Sequence, residues 1–103
     1  MADYLIVWEF RVRPGSEAAF HEHYGPAGTW ARLFSLADGF GGTMLLQDAG
    51  AEDRYLTVDR WTSEAAYRAF RAAHGAAYEA LDARCAELTV SEREIGRFTE
   101  PDS

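Results

Sequence analysis

Hydrophobic and polar positions alternate along Tyr4–Val12, with Tyr4, Ile6, Trp8, Phe10 and Val12 on one side of an extended chain. A period of two predicts a strand. Its other side begins apolar (Leu5, Val7) and turns polar (Glu9, Arg11). Both faces are therefore expected to be covered at the start, with an opening toward solvent or a cleft at the end. Pro14-Gly15 turns the chain, and Ser16-Glu17 starts a helix with an acid near its positive end. Phe20 and Tyr24 are neighbours on that helix. Gly25-Pro26 stops it, because proline lacks an amide hydrogen and restricts the residue before it. Helical spacing resumes at Trp30, Leu33, Phe34 and Ala37 and ends at Asp38-Gly39. An interrupted helix bends around something, either a ligand cleft or the curvature of a sheet.

Phe40–Gln47 reads as a second strand, with Gly41-Gly42 marking a bulge or a close backbone approach. A small polar loop, Asp48–Asp53, leads by a hairpin into a third strand, Arg54–Trp61. At Ser63, whose hydroxyl can cap a helix, the period changes from two to 3.6. Tyr67, Phe70, His74, Tyr78, Leu81, Cys85 and Leu88 then share one helical face. Ile95, Gly96 and Phe98 predict a last strand beginning near Arg93, although Thr89-Val90-Ser91-Glu92 also fits a capping box. The tail Pro101-Asp102-Ser103 is expected to fray.

The order strand, broken helix, two strands, long helix, strand closes most simply as a ferredoxin-like β-α-β-β-α-β fold of the α+β class. Its sheet is antiparallel, with both helices on one face. The chain is expected to form a single domain over 1–103, with an ordered core at about 4–99. One sheet face is left bare. Trp8, Phe10, Tyr55 and Trp61 are too many large rings for one helix layer, so a second copy stacked sheet to sheet is the expected partner.

Composition narrows the function. Hydrophobic residues make up 48% and charged residues 26%, the balance of an ordered globular protein rather than a disordered one. The net charge is −7, and every basic residue is arginine. An acidic surface repels phosphate backbones, so no nucleic-acid partner is expected. No apolar run approaches the ~20 residues of a membrane span, and no basic-then-apolar leader opens the chain. With one cysteine and therefore no internal disulfide, a cytoplasmic location is the default expectation.

Trp8-Glu9-Phe10, Pro14-Gly15, the run Tyr24–Phe34 and the run Tyr55–Tyr67 together resemble small members of the antibiotic biosynthesis monooxygenase superfamily, over about Tyr4 to Phe98. The resemblance implies a dimeric α/β barrel of ferredoxin-like subunits, each with a pocket between sheet and helices. Two branches of that superfamily have known chemistry, and the resemblance implies the fold and the pocket rather than either mechanism. Quinone-forming members oxidise phenolic polyketides with O₂ and neither metal nor flavin, using polar side chains that include an Asn and a Trp. Haem-degrading members use an Asn, a Trp and an iron-ligating His. This chain has no Asn. Phe70 stands where the haem branch places its Trp, and the ligating His would fall close to Ala80, six positions beyond His74.

Several residues could carry chemistry. His74, on the aromatic stripe, could act as a base or ligate a metal; it could equally be a core-edge histidine bonded to a carbonyl. Asp59 shares a strand face with Tyr55, Thr57 and Trp61. Burial there demands a partner, either an ion pair across the dimer or the sheet, as with Arg11, Arg32 or Arg97, or a role as a pocket acid. Trp8, Tyr24, Trp30, Phe34, Trp61, Phe70 and Tyr78 could form a slot for a flat ligand, or simply an aromatic core. His21 and His23 lie about 200° apart on a helix, so no chelate and no metal site is expected there. The glycines at Gly39–Gly42 lead into a strand rather than a helix, which removes a phosphate cradle, and no nucleotide cofactor is expected. Cys85 reads as inert packing. Taken with these features, the resemblance implies a cofactor-independent monooxygenase-like enzyme acting on a small aromatic or polyketide-type compound, with His74 or Asp59 handling a proton. A non-catalytic, regulatory ligand-binding dimer is the alternative, and haem binding through His74 stands third.

Overall fold

The computed structural model describes residues 3–101. The expectation of fraying at Asp102 and Ser103 lies outside that range. In chain order the elements are β1 (Tyr4–Val12), α1 (Glu17–Tyr24), α2 (Thr29–Phe34), β2 (Phe40–Gln47), β3 (Arg54–Trp61), α3 (Glu64–Cys85) and β4 (Thr89–Thr99). The strands form one antiparallel sheet in the order β2-β3-β1-β4. The sheet stays open, with β2 and β4 at its edges, and the helices lie on one face. This is the ferredoxin-like α+β arrangement.

Alternation along β1 and β3 decides which residues meet the helices. Tyr4, Ile6, Phe10 and Val12 of β1 and Tyr55, Thr57, Asp59 and Trp61 of β3 are buried. Phe20 from α1 and Phe70 from α3 are essentially inaccessible, as is Trp61. Each such side chain contributes roughly 1.5–3 kcal/mol by leaving water. Phe10, Tyr55 and Trp61 all lie in this one layer, and Trp8 is half-buried on the same side. The expectation that these rings overfill it is corrected by their edge-to-face packing, as in Phe34 on Trp61 at 5.5 Å and 67°.

The break between α1 and α2 is enforced at Gly28, where a Cβ would sit 2.6 Å from the Glu22 carbonyl oxygen and 2.8 Å from that of His23. Only glycine lets the two helices meet so tightly. A second glycine, Gly42, takes φ +118° where β2 slips register against β3 between Phe40 and Gly42. The Ser63 side chain accepts a hydrogen bond from the Ala66 amide, capping α3 as its sequence predicts. The helix then kinks at His74 (φ −125°, ψ 24°), beside Gly75.

At its C-terminal end α3 passes through a single 3₁₀ turn, Ala86–Leu88, and β4 begins at Thr89 rather than near Arg93. Thr89 and Ser91 pair with Val12 and Arg11 of β1, so a long-range ladder wins over the local capping box. Among the described residues no helix is long and apolar enough to cross a membrane.

The sheet's other face has no helix over it. Leu5, Val7, Leu56 and Val58 are half-buried there, with Met44, Leu46 and Phe98 exposed. Ion pairs flank this aliphatic strip: Glu9 with Arg54 at 2.6 Å and Arg93 at 3.1 Å toward one end, Arg60 with Asp3 at 2.7 Å and Glu100 at 2.9 Å toward the other.

Candidate functional site

Between sheet and helices lies a cleft holding about 440 Å³ of empty space, its solvent-filled mouth included. Its floor comes from all four strands. Trp8 and Phe10 rise from β1, Thr43 from β2, Thr57 and Asp59 from β3, and Glu92 from β4. Register brings them together, since Trp8 pairs with Thr57, Thr43 with Asp59, and Phe10 with Glu92. The roof is helical: Tyr24 at the end of α1, Trp30 and Phe34 one turn apart on α2, and Tyr78 and Asp82 one turn apart on α3 past the kink. Trp30 meets Tyr78 edge-on at 5.0 Å and tilts against Phe34 at 5.6 Å.

Asp59 is the buried acid of this floor, 9% exposed. Its Oδ1 accepts a 2.7 Å hydrogen bond from the Thr43 hydroxyl. Burial pushes its carboxyl up to about 6, against a smaller lowering by Thr43. The expected ion pair is absent among the described residues, because each candidate arginine is engaged elsewhere. Arg11 pairs with Asp53, Arg32 bonds the Ala27 carbonyl, and Arg97 holds Glu94 and the Tyr4 hydroxyl. Asp59 thus lines the cleft with Thr43 as its hydrogen-bond partner.

Burial also pushes up the hydroxyls of Tyr24 and Tyr78, so both are neutral hydrogen-bond donors near pH 7. Trp30 Nε1 and Trp61 Nε1 are buried donors without a hydrogen-bond partner among the described residues, a cost that natural cores rarely leave standing.

The remaining candidates lie apart from the cleft. Trp61 is fully buried behind Phe34, and Phe70 packs against both at 5.3 Å, so these two rings support the wall without lining it. His74, half-buried at the kink, lies 5.4 Å from the Phe70 ring and is not among the lining residues. His21 shares a 2.9 Å hydrogen bond with the Tyr55 hydroxyl and His23 one of 2.9 Å with the Thr29 hydroxyl, so the two imidazoles turn to different partners. Cys85 is buried, with its thiol pushed up chiefly by desolvation, which makes it a poor nucleophile.

Phe10, Thr43, Thr57, Asp82 and Glu92 line the cleft without having stood out in the sequence. Thr57 and Asp82 had a signal, being two residues from Asp59 on a strand and four from Tyr78 on a helix. Thr43 and Glu92 reach the site only through strand register.

Comparison with known proteins fits this geometry. The family model described as antibiotic biosynthesis monooxygenase matches residues 3–84. The chain belongs to that family. Among solved structures, SnoaB, a cofactor-independent oxygenase from Streptomyces nogalater, is 23% identical with a TM-score of 0.75, covering 100% of this chain and 97% of that one. NE2512, a protein of unknown function from Nitrosomonas europaea, is 20% identical with a TM-score of 0.72, covering 100% and 93%. PA3566 from Pseudomonas aeruginosa is 13% identical with a TM-score of 0.69, covering 99% and 97%. At these identities the likeness is one of fold. No curated protein matches the chain. In this antibiotic biosynthesis monooxygenase family member, the cleft under the helices is where an acid and a set of rings converge.

Proposed function

We propose that this protein is a cofactor-independent monooxygenase-like enzyme that oxidises a small aromatic or polyketide-type compound. One observation carries the reading: a carboxyl group, Asp59, sits on the floor of an aromatic cleft, held by a single neutral hydroxyl and pushed up to about 6. Such a base is mostly ionised near neutrality yet basic enough to take a proton from an activated phenol or ring methylene. Trp8, Tyr24, Trp30, Phe34 and Tyr78 would stack on the ring and shed water from it. Loss of the proton leaves an electron-rich anion that passes electrons to O₂. Overall, a ring methylene and O₂ give a ring ketone and water. One oxygen atom enters the carbon, and the other departs with the methylene's two hydrogens. Family membership and the likeness to an oxygenase support the assignment. The proposal includes a homodimer through the open aliphatic sheet face, which would complete the barrel.

Oxygen uptake with an anthrone or a dihydroxynaphthalene tests it. Turnover is expected, with kcat/KM rising as pH passes through about 6 and falling at least about 100-fold in Asp59→Asn. Turnover retained in Asp59→Asn but lost in His74→Ala would move the base to His74 and overturn this assignment. A second reading, ligand binding without catalysis, is favoured by the absence of any Asn from the chain. Saturable ring binding with no oxygen uptake would select it.

A further inference from the structure

Every charged group in the wall of the cleft is an acid. Asp59 lies on the floor, Asp82 on the roof and Glu92 on the outer strand, and among the described residues neither arginine nor histidine lines the space. Arg71 lies against Tyr78, its guanidinium carbon 3.8 Å from the ring centroid. It bonds the Tyr67 hydroxyl and faces Glu79 at 3.6 Å, so its charge is already matched. The three carboxyl groups act on shared surroundings. Glu92 lies at an exposed strand position, yet partial desolvation of its carboxyl raises it, with the charge of Asp82 adding to it. Burial likewise raises Tyr78; the Arg71 charge opposes this, while Asp82 and Asp59 add smaller contributions.

The chemistry proposed above places a negative charge on the bound ring. Among three carboxyl groups and no lining cation, that charge gains little from the wall. A positive charge on the ligand itself would offset it. The same walls suit such a charge, because the indole rings of Trp8 and Trp30 line the cleft and the face of such a ring attracts a cation, more so when it is desolvated. We infer that the cleft takes an aromatic ligand bearing a protonated amine and turns away aromatic carboxylates. The inference rests on the cleft being the ligand site, as in the proposed function.

Three naphthalenes with one ring system and different charges test it: naphthylmethylamine, naphthalenemethanol and naphthoate. Each is titrated into the protein at near-neutral pH and low salt, with binding followed by tryptophan fluorescence and calorimetry. The amine is expected to bind at least about tenfold more tightly than the carboxylate, with the alcohol between. Raising the salt, or combining Asp82→Asn with Glu92→Gln, should shrink the ratio between the amine and carboxylate affinities. Glu92→Gln alone, on an exposed strand position, is measured alongside so that a folding defect in the double variant does not decide the result. Naphthoate binding as tightly as the amine, or a gap unchanged by removing the carboxylates, overturns the charge inference and leaves the site standing. Failure of all three to bind overturns the site reading and this inference with it.

Discussion

Replacing Asp59 by Asn should make the protein more stable and less active at once. The ordinary aspartate value of 3.8 rises to about 6 in the folded chain, with burial the larger cause. Between those values the folded protein holds a proton that the unfolded chain has lost, so stability falls as pH rises through that window and levels off above it. The group is 9% exposed, which limits solvent screening. At about 1.4 kcal/mol per tenfold change, the ionised folded form is disfavoured by roughly 3 kcal/mol relative to its acid form. Asn cannot ionise, and its carbonyl oxygen can still accept the Thr43 hydrogen bond. Its amide also needs a partner, which trims the gain to about 1–3 kcal/mol at about pH 8.

The charged and polar groups around the site are Thr43 from β2, Tyr78 and Asp82 from α3 and Glu92 from β4, and all are retained in the variant. Glu9 and Asp48 lie elsewhere, their carboxyls lowered by hydrogen bonds from Arg54 and from the Gly50 amide respectively. They act in the opposite sense at more acidic pH and cancel in the comparison between variant and wild type. Urea unfolding followed by tryptophan fluorescence, at fixed protein concentration from about pH 4 to pH 8, reads the difference. The gain should vanish toward the acid end. An Asn variant no more stable than wild type at about pH 8, or a gain that persists unchanged at about pH 4, refutes the burial argument.

Other perturbations separate the layers of the fold. Trp61→Ala empties a fully buried ring position touching Phe34, Phe40, Tyr67 and Phe70 and should cost about 3–5 kcal/mol, seen as a lower urea midpoint. Gly28→Ala forces a methyl group onto two backbone carbonyls at the α1–α2 junction, and should cost about 1–3 kcal/mol while weakening ring binding through displaced Trp30. Val58→Asp sets a charge within the open aliphatic face; sedimentation should report half the wild-type mass with far-ultraviolet circular dichroism retained. An unchanged mass for that variant would place any self-association elsewhere.

Periodicity alone determined most of the elements. β1, β2 and β3 follow from alternation, the α1–α2 break from Gly25-Pro26, and the start of α3 from Ser63. These features are local: a side chain's spacing and a backbone's allowed angles set them within a few residues. Where β4 begins was decided by pairing with β1, since a ladder to Val12 and Arg11 outweighs a cap that the same four residues could form. The site divides in the same way. Tyr24, Trp30, Phe34, Tyr78 and Asp59 were visible as rings on the apolar faces of three helices and a lone acid on an apolar strand face.

Which rings line the cleft and which stand behind it depended on depth, and depth is set by how the helices cross the sheet. Trp61 and Phe70 thus fell into the core while Trp8 stayed at the opening. Thr43 meets Asp59, and Glu92 meets the rim, across strands that lie 16 and 33 positions away from Asp59 in the chain. Hydrogen-bonded register joins such residues, and no local pattern encodes it. The acid was written in the sequence. Its burial with no arginine partner among the described residues, which raises its proton affinity, was decided only when the strands paired and the helices packed over them.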